Sequence, residues 1–491
     1  MIEVFPFAGL PVAVFGLGKS GIAAARALQA GGAEVWAWDD GEDARNRARA
    51  AGVPLVDLYL CNWGELTSLV LSPGVPLHHP RPHRVVELAR AAGCEVIGDI
   101  ELLARTQLEA SYVGVTGTNG KSTTTALIGH IFKLAGRSVQ VGGNIGRPAL
   151  DLDPLSGDGT YVLEMSSYQL ELTVSITFDV AVLLNLTPDH LDRHGDMAGY
   201  VAAKRLIFHR QTRPRAAVIG IDDPESEKIW RALKAADEQT VIPISSVRRA
   251  PGGVYALDGT LYDDRGGADT AVADMAAMRT LPGTHNAQNA AAAYAACTAA
   301  GIDPSVAIAC MRSFPGLAHR QESIAIVDGI AYVNDSKATN ADAAAKALAC
   351  YPRIYWIAGG RAKDGGLAAA APFLDRVRRA FLIGEAAPAF ETFLKEKKVE
   401  TVMAGTLAAA VAAAREAALV DGAGGVVLLS PACASFDQFA NFEARGDAFR
   451  QLVQALPGTR GEPEDVSVVP KGTPNNVPKG TPTNAPKGTR R

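Results

Sequence analysis

Short, almost unbroken apolar runs recur along the chain, and each closes in a turn rich in Gly, Ser or Asp. Residues 12–15 lead into a glycine-rich turn and an Ala-rich stretch of helical character through Ala30. Glu34–Trp38 then ends in Asp39-Asp40, and Leu69-Val-Leu runs into Ser72-Pro-Gly74. Strands buried on both faces read as continuous apolar runs. Their alternation with helical segments predicts parallel α/β sheets. Residues 111–115, 161–163 and 178–184 repeat the pattern. Residues 242–264 read as a hairpin with its turn at Asp258-Gly259, and 287–300 read as a helix. A third block opens near His319, with a hairpin around Asp328-Gly329. Strands follow at 354–358, 380–383 and Val426–Leu429, and a final helix is expected over 437–456.

Composition fits this picture. Of 491 residues, 48% are hydrophobic and 20% charged, and at ~150 residues per domain the length predicts about three domains. Beyond Pro457 the character changes: Pro-Lys-Gly-Thr recurs at Pro470, Pro478 and Pro486. A stretch without bulky apolar residues cannot bury a core, so 458–491 is expected to be a disordered basic tail. A net charge of −4 points to no nucleic-acid or membrane partner. The six scattered cysteines form no C-x-x-C pair and read as reduced thiols. Glu3 follows Met1 with no basic start or cleavage site. The Ala-rich windows 287–301 and 407–419 carry polar residues and read as amphipathic or buried helices. A cytoplasmic protein is expected.

The strongest chemical signal is Gly114-Val-Thr-Gly-Thr-Asn-Gly-Lys-Ser-Thr123, set between a strand and a helix. Successive backbone N–H groups of Gly117, Thr118, Asn119 and Gly120, with the helix N-terminus, favour phosphate oxygens. Lys121 can reach the outer phosphates, and the Ser122 hydroxyl can ligate magnesium. Val115 stands where the strict phosphate-loop pattern has its first glycine. Glu164, after the strand at 161–163, is placed to hold a metal or to cap a helix. In Asn185-Leu-Thr-Pro-Asp-His-Leu-Asp-Arg-His194, the side chains of Asp189, His190 and Asp192 offer ligands, although a lone histidine is more often structural. Lys204 by itself reads as a solvated surface residue. His285-Asn-Ala-Gln-Asn289 can read an adenine edge or cap its helix. Near the N-terminus, Gly16-Leu-Gly-Lys-Ser-Gly21 fits G-x-G-x-x-G after a strand, with Asp39 about 20 residues on. Alone, that is the dinucleotide fingerprint of a nicotinamide oxidoreductase.

The run Thr-Gly-Thr-Asn-Gly-Lys-Ser resembles the phosphate loop of the Mur ligases, and at least seven motifs continue the resemblance in order over about residues 10–456. It implies three α/β domains: a Rossmann-like domain over 1–107, a central P-loop mononucleotide-binding domain over 108–318, and a Rossmann-like C-terminal domain over 319–457. The implied cofactors are ATP and two Mg2+ ions. Glu164 and His190 match the family's magnesium ligands, with Ser122, and Lys204 in Tyr200-Val-Ala-Ala-Lys204 matches its carbamylated lysine. A carbamate is an anion that can bind metal, where an ammonium would repel it. Asn286 and Asn289 match ATP contacts, Arg320 of His319-Arg320 would reach the γ-phosphate, Asp335 the ribose and Lys337 the phosphates. Thr123 completes the loop.

In this family the N-terminal domain grips the uridine diphosphate of the substrate. Lys19, Ser20, Asp39, Ser72 and Gly74 are then the implied contacts, with Asn144 and His190 near the reacting carboxylate. Gly359-Gly-Arg-Ala-Lys363 and Ser430-Pro-Ala-Cys-Ala-Ser-Phe-Asp-Gln-Phe439 resemble the D-glutamate-adding branch. Thr339, Lys363, Ser435 and the Phe442 backbone would hold D-glutamate, and UDP-N-acetylmuramoyl-L-alanine would be its partner substrate. Cys433 has no paired base and reads as a packed thiol. A monomer is expected, with domain closure assembling the ATP site. Competing readings are a sister ligase adding another amino acid or adding glutamate to folate, a nicotinamide oxidoreductase, and a non-catalytic nucleotide-binding regulator.

Overall fold

The computed structural model describes residues 1–362, 366–422 and 424–461. The first apolar runs become β1 (Pro11–Phe15), β2 (Glu34–Trp38), β3 (Ser68–Leu71) and β4 (Glu95–Ile97), a parallel sheet in the order β2-β1-β3-β4. Helices α1 (Lys19–Ala30), α2 (Glu42–Ala50) and α3 (Arg84–Ala91) connect them. The strand order reverses between β1 and β3, which opens a crevice beyond their C-terminal ends. There the Ser72 hydroxyl donates to the Gly16 carbonyl at 2.7 Å. Gly16 has φ +89°, and a Cβ on it would fall 2.6 Å from the Ser72 Cβ, so the turn requires glycine.

Helix α4 (Asp99–Thr106) joins the first sheet to the second. The buried Glu101 carboxylate accepts from the Val174 and Ser175 amides and the Ser175 hydroxyl. Ile2, Val4 and Leu103 lie in one apolar core with Leu150, Tyr161 and Leu163, so the first two blocks share their packing.

The second sheet has nine strands. Its elements are β5 (Ser111–Thr116), α5 (Lys121–Leu134), β6 (Val139–Gly143), β7 (Thr160–Glu164), α6 (Ser167–Leu170), β8 (Val180–Leu183), α7 (Leu191–His194), α8 (Met197–Arg205), β9 (Ala216–Gly220), α9 (Pro224–Ala236) and β10 (Thr240–Ser245). After these come β11 (Val254–Leu257), β12 (Thr260–Asp263), β13 (Thr270–Asp274), α10 (Thr284–Ala299) and α11 (Pro304–Arg312). The order is β13-β12-β11-β10-β9-β8-β5-β7-β6. Because β5 lies between β8 and β7, the loops after all three meet at one edge.

The third sheet starts with the hairpin β14 (Glu322–Val327) and β15 (Ile330–Asn334), followed by α12 (Ala341–Leu348) and β16 (Ile354–Gly359). It continues through β17 (Val377–Ile383), α13 (Ala387–Glu396), β18 (Thr401–Gly405), α14 (Leu407–Val420), β19 (Val426–Leu429), α15 (Phe442–Gln454) and β20 (Arg460–Gly461), in the order β18-β17-β16-β19-β15-β14-β20. Asp328 and Gly329 both have positive φ, as a two-residue hairpin turn demands.

Three expectations change. The last helix begins at Phe442 and not at 437, because the Asn441 side chain accepts from the Ala444 amide and caps it. The hairpin at 242–264 is confined to β11 and β12, since β10 runs parallel to β11. Residues 460–461, assigned by composition to the tail, pair with Ile326 and Val327 at the edge of the third sheet, where backbone pairing needs no apolar side chain. Residues 462–491 and Lys363 lie outside the described residues. Among the described residues no helix is long and apolar enough to cross a membrane.

Candidate active site

Strand β5 delivers the loop 117–120, in which Gly117 and Gly120 have φ +147° and +89°. Asn185, at the end of β8, folds this loop. Its carbonyl accepts from the Thr118 amide at 2.8 Å, its side-chain oxygen accepts from the Asn119 amide at 2.9 Å, and its Nδ2 donates to the Asn119 carbonyl at 3.1 Å. The same Nδ2 donates to Gln288 Oε1 at 3.1 Å, tying α10 to the loop. The Thr118 hydroxyl donates to the Thr187 carbonyl at 3.1 Å and lies 3.1 Å from the Tyr200 hydroxyl. Neither Asn185 nor Gln288 carried a role in the sequence reading. Asn185 opened a quoted motif, but nothing in a linear pattern says that its side chain reaches back across a strand.

Lys121 Nζ donates to the Gly117 and Thr118 carbonyls, each at 2.9 Å. Burial pushes its pKa down, and nearby Arg320 adds to the effect. Arg320, from the segment leading into β14, donates to the Ser122 hydroxyl at 2.6 Å. The third block therefore touches the phosphate loop directly. Between them lies a cleft lined by Asn119, Gly120, Thr123, Asn286, Asn289, Arg320, Asp335 and Lys337 among others. Asn286 and Asn289 bond to each other at 3.0 Å. The Asp335 carboxylate is buried, accepting from the Gln321 amide and the Ser430 hydroxyl, and burial lifts its pKa to about 7.

A second cavity, of about 610 Å3, reaches Lys121 from the side of the first sheet. Lys19, Ser20, Asp39, Ser72, Gly74, Asn144, Lys121, His190 and Lys204 all line it, together with Tyr168 and Asp189. The loop at residues 16–21 thus faces the second cavity, while the loop at 117–120 lines the first, and the two adjoin where Gly120 meets Lys121. Asp39 has a further duty: its carboxylate accepts from the Leu17 and Gly41 amides at 2.6 and 2.8 Å, which shapes the turn after β1. Arg193 crosses the seam and donates to the Val75 carbonyl at 2.6 Å. Asp192 is exposed on α7 and does not line this cavity.

The groups suited to metal lie around Lys121, which interacts electrostatically with Glu164, His190 and Lys204. Glu164 is buried; its Oε1 accepts from Asn144 Nδ2 at 2.8 Å, and its Oε2 has no hydrogen-bond partner. An orphaned buried carboxylate oxygen fits a cation. Lys204 is buried, with Nζ 3.2 Å from Thr116 Oγ1. Burial and the charge of Lys121 hold its pKa well below the usual lysine range, so the amine tends to neutrality. His190 is exposed beside Tyr168, and partial desolvation lowers its pKa, which favours the metal-binding neutral ring. Among the described residues no group of three or more His, Cys, Asp or Glu comes together, so any ion here would also draw on Ser122 or a modified Lys204.

Thr339, Ser435 and Phe442 line neither cavity. Two of their loops are braced by Arg445, which is buried and donates to the Ser336 hydroxyl and carbonyl and to the Cys433 carbonyl. The Ser336 hydroxyl donates to the Phe442 carbonyl at 2.8 Å, and Lys337 Nζ lies 3.8 Å from the Phe442 ring centroid. Burial raises the Cys433 thiol to about 12, as suits a packed thiol.

Comparison with known proteins agrees with this geometry. The Mur ligase middle domain matches residues 115–297. The UDP-N-acetylmuramoylalanine–D-glutamate ligase of Phenylobacterium zucineum is 54% identical over 93% of this chain and 98% of its own. The chain belongs to the UDP-N-acetylmuramoylalanine–D-glutamate ligase family. Within that family the enzyme of Rhodospirillum rubrum is also 54% identical, over 94% of this chain and 98% of its own, and that of Caulobacter vibrioides is 52% identical over 94% and 99%. The fold is that of Mur ligases. The solved UDP-N-acetylmuramate–alanine ligase of Thermotoga maritima superposes with a TM-score of 0.56 at 18% identity, covering 91% of this chain and 99% of that one.

Two outcomes follow for this family member. A Cβ on Gly120 would lie 2.2 Å from Asn289 Oδ1 at a backbone φ of +89°. Gly120→Ala is therefore expected to weaken ATP binding about fivefold or more, as strain of about 1–3 kcal/mol implies, measured by titration calorimetry on folded protein. Asp335 holds its proton more tightly folded than unfolded, so its contribution to stability is present at low pH. That contribution is lost as pH rises from about 4 toward its folded value of about 7. Relative to Asp335→Asn, the wild type should lose thermal stability between about pH 4 and pH 7, and a pH-independent difference in melting temperature would contradict the burial argument.

Proposed function

We propose that this chain joins D-glutamate to UDP-N-acetylmuramoyl-L-alanine using ATP, in the cytoplasmic assembly of peptidoglycan. The observation that carries the proposal is that the nucleotide cleft and the substrate cavity adjoin at the phosphate loop, Gly120 lining the first and Lys121 the second. The names of the closely similar relatives supply the substrates. A uridine diphosphate would lie across Lys19, Ser20, Ser72 and Gly74, which projects the alanyl carboxylate toward Asn144 and His190. ATP would occupy the loop 117–123, with Asn286 and Asn289 near the base, Asp335 at the ribose and Lys337 along the phosphates. D-glutamate would enter from the third block, between Thr339, Lys363, Ser435 and the Phe442 amide.

The substrate carboxylate oxygen attacks the γ-phosphorus, the bond to the β,γ-bridging oxygen breaks, and ADP leaves behind an acyl phosphate. The amine of D-glutamate then attacks the carbonyl carbon, the amide forms, and phosphate departs as the amine loses its proton. Lys121 would exchange its loop carbonyls for phosphate oxygens, and Arg320 would move from the Ser122 hydroxyl toward the γ-phosphate. Both offset charge that spreads over the transferring group. No enzymic nucleophile is needed, so the rate comes from positioning in a site closed between blocks. Ser122, Glu164, His190 and Lys204 would hold two Mg2+ ions, with Lys204 as a carbamate formed from its neutral amine and CO2. Bound ions would supply further charge neutralisation at the phosphoryl oxygens. Every group named comes from one chain, so a monomer suffices.

Purified protein given ATP, Mg2+ and UDP-N-acetylmuramoyl-L-alanine should release phosphate when D-glutamate is added and not when L-alanine, L-lysine or diaminopimelate replaces it. Lys121→Ala should lower kcat by about 10²–10³ or more, the cost of removing one transition-state donor. Equal turnover with the other amino acids, or an unimpaired variant, would overturn the assignment.

A further inference from the structure

One cation in the nucleotide cleft has no role so far. Asn340 caps α12 by accepting from the Ala343 amide, and Ala344, Ala345, Ala347 and Leu348 turn into the core of the third block. Lys346 lies on the remaining face and lines the cleft beside Ala343. Among the described residues, no carboxylate pairs with its ammonium and no acceptor bonds to it.

Its surroundings do not neutralise it. On its own helix Asp342 attracts it, while Lys121 at the phosphate loop repels it. His285, at the start of α10, lies close enough to feel its charge. Arg320, Asp335 and Lys337 line the same cleft. Cys350, one turn further on, bonds back to the Lys346 carbonyl through its thiol. The segment Ala368–Arg376, packed against α12, brings Asp375 and Arg376, whose guanidinium donates to the Ala349 carbonyl. A mostly buried ammonium without a partner is costly, and an acceptor-rich anion entering the cleft removes that cost.

We propose that Lys346 is a nucleotide-binding residue, its ammonium donating to the ATP that fills this cleft from the third-block wall. The inference rests on the ATP reading of the cleft. Burial brings the Lys346 pKa down to about 8, so without nucleotide the charge is present at pH 7 and lost a unit or two above it.

Three proteins test this: wild type, Lys346→Met, which keeps the apolar stem, and Lys346→Arg, which keeps the charge. Binding of ATP alone by calorimetry, with KM for each substrate, is the readout. Lys346→Met should weaken ATP binding and raise KM for ATP about tenfold or more, with KM for D-glutamate and for the UDP-linked substrate within twofold. Lys346→Arg should recover most of the loss. In the wild type, kcat/KM for ATP should fall as pH rises through about 8, and that limb should vanish in Lys346→Met. Unchanged ATP binding in a Met variant with a wild-type circular dichroism spectrum would overturn the proposal, as would equal rises in all three KM values, which mark a packing role. A wild type that fails to bind ATP would instead defeat the reading of the cleft.

Discussion

Four cationic side chains gather around the phosphate loop, where burial disfavours their charge. Lys121, Arg320, Lys337 and Lys346 all have pKa values pulled down, in each case chiefly by burial. Against them stand Glu164, with one oxygen unpartnered, and Asp335, whose own burial favours the protonated form, while Asp189, Asp342 and Glu443 each attract one or more of the cations. An anion entering the cleft relieves the cost of burying these charges, and a polyphosphate has the charge to do so. The loop, the seam between the second and third sheets and the reach of Arg320 to Ser122 all serve this one electrostatic requirement.

The fold follows from where strand order reverses. In the first sheet the reversal between β1 and β3 brings together the turns at Gly16 and Ser72. In the second, the position of β5 between β7 and β8 gathers the phosphate loop, Glu164 and the Asn185–His190 loop. The two crevices meet at Lys121 because α4 and the shared core lock the first sheet onto the second.

Much of this was readable in the sequence, for definite physical reasons. Apolar runs of four to six residues locate buried parallel strands, and positive-φ glycines mark the loops, so the strands around Lys121 and the hairpin at Asp328-Gly329 lie where pattern puts them. What the pattern did not reveal depends on the third dimension. Asn185 and Gln288 brace the phosphate loop from different elements. Asp39 is as much a turn-former as a ligand candidate, and Arg445 acts through backbone carbonyls that no spacing rule anticipates. The late start of α15 shows the same limit on a smaller scale, since only the Asn441 cap distinguishes loop from helix there. Lys346 reads as an ordinary helical lysine until the cleft around it is seen.

The central claim is that this site is electrostatically incomplete without a polyphosphate. It is tested most directly by thermal unfolding with adenosine, AMP, ADP and ATP at equal saturating concentrations in metal-free buffer, where each shift reports affinity for the folded state. The melting temperature should rise with phosphate number, least for adenosine and most for ATP. Equal shifts for adenosine and ATP would contradict the account.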